Sequence, residues 1–76
     1  MKLNRVKEIR KELHMTVRDL EDSSGLSHAA ITKIENFKSI PSQLSMMQIS
    51  KGLNKRVGEV FLLDYNKIDV NEFWLI

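Results

Sequence analysis

An all-α domain of five short helices is the fold class this sequence predicts. Three observations carry it. Apolar residues recur three and four positions apart along most of the chain. Ser, Thr and Asn stand where these runs begin, and their side-chain oxygens accept from the first amides of a helix. Gly25 separates two runs and can take the positive φ that a sharp turn requires.

Leu3, Val6, Ile9 and Leu13 form the first helical stripe, with Asn4 as its expected cap. Thr16 caps the second helix, and Asp19 three residues later supplies the carboxylate of a capping box. Val17 and Leu20 face inward there, and Ser24-Gly25 ends the run. Ser27 caps the third helix, whose inward residues are Ala30, Ile31 and Ile34. Asn36 is expected to end it, because Asn tolerates the left-handed conformation. A loop over residues 37–42 is closed by Pro41, and Ser42 caps the fourth helix. Met46, Ile49, Ser50 and Leu53 make a one-sided stripe before Asn54 ends it. Val57, Val60 and Phe61 imply a short fifth helix, although Arg56 is a poor cap and Gly58 weakens its start.

Seventy-six residues suffice for one small domain, which buries only about 60% of the surface its unfolded chain exposes. Without cysteine there is no disulfide, no thiolate zinc site and no cysteine nucleophile. His14 and His28 are too far apart in sequence to form a helical ligand pair. No nucleophile–base pair or phosphate-cradling loop is evident, so neither enzyme, cofactor nor small-molecule substrate is expected. The absence of a signal-peptide core and of a membrane-length apolar run makes a cytoplasmic protein the expectation.

Charge divides the chain unevenly. Residues 1–63 hold 11 Lys and Arg against 7 Asp and Glu, whereas residues 64–76 hold 1 against 3. A mildly basic body fits a specific binder of nucleic acid better than a nonspecific coat. Four of the five aromatics, Phe61, Tyr65, Phe73 and Trp74, lie in the final 16 residues. This suggests a body over 1–63 and a C-terminal extension over 64–76. The extension packs either within its own subunit or, through Tyr65, Phe73, Trp74, Leu75 and Ile76, against a second one.

On the third helix His28, Ala29, Thr32, Lys33 and Asn36 share one face, opposite Ile31 and Ile34. With Arg5-x-x-x-Ile9-Arg10, Thr16-x-x-x-Leu20, Gly25-Leu26-Ser27, Ile34-Glu35-Asn36, Pro41-Ser42, Ile49, Leu53 and Glu59-Val60-Phe61, the chain resembles the phage repressor/Cro-type, or XRE-type, helix-turn-helix family. The resemblance runs from about Asn4 to Phe61. It implies a repressor-like DNA-binding domain whose recognition helix, about 28–36, lies in the major groove. Ser27, His28, Ala29, Thr32 and Lys33 would then meet base edges. Thr16, Arg18, Asn36, Lys38 and Gln43 would meet phosphates, and Arg10 and Glu35 would form a structural ion pair.

Three positions depart from the family pattern. Val17 stands where Gln is usual, Glu21 where a small residue is usual, and Phe37 where Gly is usual. Glu21 is expected either to splay outward, toward a lysine, or to open the pair of second and third helices slightly, and Phe37 either to pack on the following loop or to serve a partner. Blander readings stand beside these: His28 and Lys33 as solvated residues, Arg18 and Lys38 as ordinary surface charges, and Met46 and Met47 as core filler. The resemblance implies a transcriptional repressor that holds a palindromic operator in double-stranded DNA as a homodimer. The alternative is a protein-interaction module, an antitoxin or adaptor, that uses Phe37 and the C-terminal tail.

Overall fold

Among residues 4–61, which the computed structural model describes, five helices follow one another. They are α1 (Val6–Glu12), α2 (Val17–Ser24), α3 (His28–Glu35), α4 (Gln43–Gly52) and α5 (Val57–Val60). Hydroxyl caps set the starts of the middle three. Thr16 Oγ1 accepts from the Asp19 amide at 3.0 Å while the Asp19 carboxylate accepts from the Thr16 amide at 2.8 Å. Ser27 Oγ accepts from the Ala30 amide and Ser42 Oγ from the Ser45 amide, each at 3.2 Å. α5 starts without such a hydroxyl, and the Glu59 carboxylate instead accepts from the Arg56 amide at 2.8 Å.

The start of α1 differs from the sequence expectation. Arg5 holds the capping position, and Asn4 sits one residue further back, buried. Its Oδ1 accepts from the Val6 amide at 3.1 Å and its Nδ2 donates to the Ile34 carbonyl at 3.0 Å. Asn4 therefore ties α1 to the end of α3, a long-range role that local pattern does not encode. At the other end, α1 stops at Glu12, so Leu13 falls off the buried stripe and is 43% exposed.

Three helices end in one geometry. The second residue beyond each helix takes a left-handed φ: 56° at His14, 59° at Phe37 and 56° at Asn54. In each case its amide donates to the carbonyl three residues back, and the next amide to the carbonyl five residues back. This is the Schellman pattern, for which Gly is the usual residue. Among the described helices α2 alone is followed by a left-handed glycine, Gly25 at φ 81°. The expectation that Asn36 would be left-handed is corrected here. Its amide still donates to Thr32 in helical register, which passes the left-handed position to Phe37.

Val6, Ile9, Leu20, Ile31, Ile34, Ile49, Leu53, Val57, Val60 and Phe61 form the core, with Met15, Val17, Leu26 and Met46 packed against it. Each large aliphatic side chain so buried contributes about 1.5–3 kcal/mol. α2 packs on both α3 and α4. Its approach to α4 is close at Gly52, where a Cβ would lie 2.9 Å from Ser23 Oγ and 3.1 Å from the Ser24 Cβ and backbone nitrogen. Phe61 is extended rather than helical and pairs in an antiparallel bridge with Asn4. The Arg5 amide donates to the Val60 carbonyl at 2.7 Å, so the two ends of the body close on each other.

Candidate nucleic-acid interface

α3 owes its orientation to Ile31 and Ile34, which are 0% and 3% exposed in the core. With these two fixed inward, helical geometry turns His28, Ala29 and Lys33 to the surface, all exposed, with Thr32 half-buried at the edge. Ser27 is exposed at the start and Asn36 at the end of the same helix. The face is short, polar or basic throughout, and no bulky apolar group interrupts it. Such a face can approach base edges closely and offer both donors and acceptors.

The residues expected at phosphates are exposed at the start of α2, just beyond α3 and at the start of α4. Thr16 is exposed, but its hydroxyl and amide are both engaged with Asp19. These bonds hold the Asp19 carboxyl below its ordinary range, the Thr16 backbone bond being the larger cause and the side-chain bond the second. Arg18 Nε lies 3.9 Å from Asp22 Oδ1, both side chains largely in solvent. Lys38 is exposed just beyond α3, its amide fixed to the Lys33 carbonyl at 2.8 Å. Gln43 is exposed as the first residue of α4.

Arg10 and Glu35 come together beneath this surface. Arg10 Nε donates to Glu35 Oε2 at 2.8 Å and Nη2 to Oε1 at 3.2 Å, while Nη1 donates to the Met15 carbonyl at 2.9 Å. Both side chains are nearly buried. The pair fixes α3 against α1, with Glu35 one helical turn beyond Thr32 at the edge of the exposed face.

Val17 lies half-buried against the core, so it offers no polar contact there. Glu21 turns toward His28 and not toward a lysine. Its Oε2 lies 3.6 Å from His28 Nδ1, a juxtaposition across the turn that sequence reasoning missed. Phe37 is 46% exposed. Tyr65, Phe73, Trp74, Leu75 and Ile76, together with Leu3, lie outside the described residues. Among the described residues no cluster of His, Cys, Asp or Glu could hold a metal ion, and no helix is long and apolar enough to cross a membrane.

A helix-turn-helix family model matches residues 6–60. No curated protein and no solved structure matches the chain. The matched stretch takes in all five helices, from Val6 to Val60, and the chain belongs to the helix-turn-helix family of the repressor/Cro (XRE) type, a family of DNA-binding transcription regulators.

Proposed function

We propose that the chain is a repressor that holds a palindromic operator as a homodimer, with α3 in the major groove. One observation carries this reading: α3 keeps Ile31 and Ile34 in the core and leaves His28, Ala29 and Lys33 outward on one uncluttered face. Lys33 suits guanine O6 and N7, Ala29 a thymine methyl, and Ser27, His28 and Thr32 either donor or acceptor edges. Thr16, Arg18, Asn36, Lys38 and Gln43 would hold the flanking phosphates. Occupying an operator is itself enough to block transcription, and the cytoplasm is where such DNA would be met.

The need for two copies follows from size. Eight residues of helix span about 12 Å and reach only a few base pairs, so specificity calls for half-sites about 34 Å apart. The extension over 64–76 would join the copies through Tyr65, Phe73, Trp74, Leu75 and Ile76. Apolar surface in the body also supports association: Ile40 is 82% exposed and Leu44 64%, with Met47 one turn beyond Leu44 on α4. The same exposure, joined to that of Phe37, favours a second reading as a module that grips another protein.

Fluorescence anisotropy on random duplex DNA at two salt concentrations separates the readings, since a DNA binder loses affinity steeply as salt rises. Selection from a random duplex pool then gives the half-site and its symmetry. Truncation after Leu63, followed by sedimentation equilibrium, tests the extension. A monomer with weakened operator binding supports its role, and a tight folded dimer assigns the tail to another surface.

A further inference from the structure

Glu21 stands on α2, four residues before the Gly25 turn, and His28 is the first residue of α3 beyond it. The Glu21 side chain is 26% exposed and the His28 side chain 66%, with Oε2 and Nδ1 3.6 Å apart. Asp22, the next carboxylate on α2, faces Arg18 instead. Glu21 is thus the α2 carboxylate that meets the recognition face, and its charge also complements the positive end of α3.

We propose that Glu21 is a positioning residue for base reading: it turns His28 Nδ1 toward α2 and leaves Nε2 for the groove, so that His28 selects a base offering an amino group. The proposal rests on the reading of α3 as the helix in the major groove. An ionised carboxylate only accepts, so a neutral imidazole that closes the 3.6 Å gap to hydrogen-bond distance does so with its one N–H on Nδ1 and presents a lone pair at Nε2. In the major groove the groups that can donate to that lone pair are adenine N6 and cytosine N4. Guanine N7 and O6 and thymine O4 are acceptors and are refused. Without Glu21 the ring is released to either orientation and either tautomer, and Nε2 donates as readily as it accepts. A pair this exposed adds little to stability, so its effect falls on orientation.

The test is selection from a random duplex pool at about pH 8, above the ordinary imidazole range. The proteins compared are the full chain, Glu21→Ala, Glu21→Gln, His28→Ala and the Glu21→Ala/His28→Ala double variant. The full chain should select adenine or cytosine at one half-site position. Glu21→Ala should keep the rest of the consensus and its thermal midpoint, and lose preference at that position by about fivefold, the factor one net hydrogen bond carries. Glu21→Gln, whose amide oxygen can equally accept from Nδ1, should retain the preference. The double variant should be no worse there than His28→Ala. If Glu21→Ala keeps the wild-type preference while His28→Ala loses it, the positioning role is overturned and the groove reading stands. A wild-type chain that selects no consensus overturns the groove reading itself, and this proposal with it.

Discussion

The Arg10 guanidinium and the Glu35 carboxylate join α1 to α3 through a two-bond fork of 2.8 and 3.2 Å, closed from the solvent on both sides. A third bond, from Arg10 to the Met15 carbonyl, carries the link on to the loop before α2. One side chain therefore fixes three segments that together set the tilt of α3.

Removing either partner leaves a nearly buried charge without compensation. Arg10→Met or Glu35→Gln should each cost about 3–5 kcal/mol in urea melts, a large share of the stability of so small a domain. Replacing both with apolar residues should recover much of that loss, because the desolvation of both charges disappears together. A single-variant change under about half a kcal/mol would show the fork to be a solvated contact.

Gly52→Ala should destabilise the fold although alanine favours the helix by about 1 kcal/mol at such a position. The added Cβ would meet the Ser24 Cβ and backbone nitrogen at 3.1 Å, neither of which can swing aside as a flexible side chain would. Crowding of this kind costs about 1–3 kcal/mol, so a lowered urea midpoint is expected. A raised midpoint would mean that α2 and α4 can separate cheaply.

Phe37→Gly should act in the opposite direction. The left-handed region costs a residue with a Cβ about 1–2 kcal/mol, and glycine enters it at an entropic cost of about 0.5–1 kcal/mol. A gain of about 0.5–1 kcal/mol is expected, with DNA affinity unchanged or improved. A clear loss of stability would assign Phe37 a packing role that outweighs its strain.

The Thr16–Asp19 box makes a pH-dependent contribution whose sign is fixed. Asp19 titrates lower in the folded chain than its ordinary value, so the stability it confers is present above the usual aspartate range and is lost as pH falls through its depressed folded value. Asp19→Asn should accordingly flatten the acid limb of a plot of melting midpoint against pH. Identical acid limbs in the two proteins would show that the box does not couple to folding.

Local signals made most of the scaffold legible. Thr16, Ser27 and Ser42 each announced a helix through a bond to an amide three residues away, and Gly25 marked the turn between two of them. The inward stripes were equally readable, because burial follows the helical period. What escaped depends on residues meeting across the fold. Asn4 looks like a cap until Ile34 supplies a carbonyl 30 residues away, and Gly52 looks like a weak helix position until Ser24 closes on it. Glu21 departs from the family pattern, but nothing local names His28 as the side chain it meets. Phe37 shows the converse: a residue disfavoured at a left-handed position is placed there by the hydrogen bonds from the Phe37 and Lys38 amides.

Lys33 gives the most direct test of α3 as the DNA-reading helix, by anisotropy titration of the wild-type chain and Lys33→Ala on the selected duplex and on duplexes changed one base pair at a time. A loss of about 1–3 kcal/mol on the selected site is expected, with relaxed preference at one base position and the others retained. Wild-type affinity together with the same consensus in Lys33→Ala would contradict the placement of this face in the major groove.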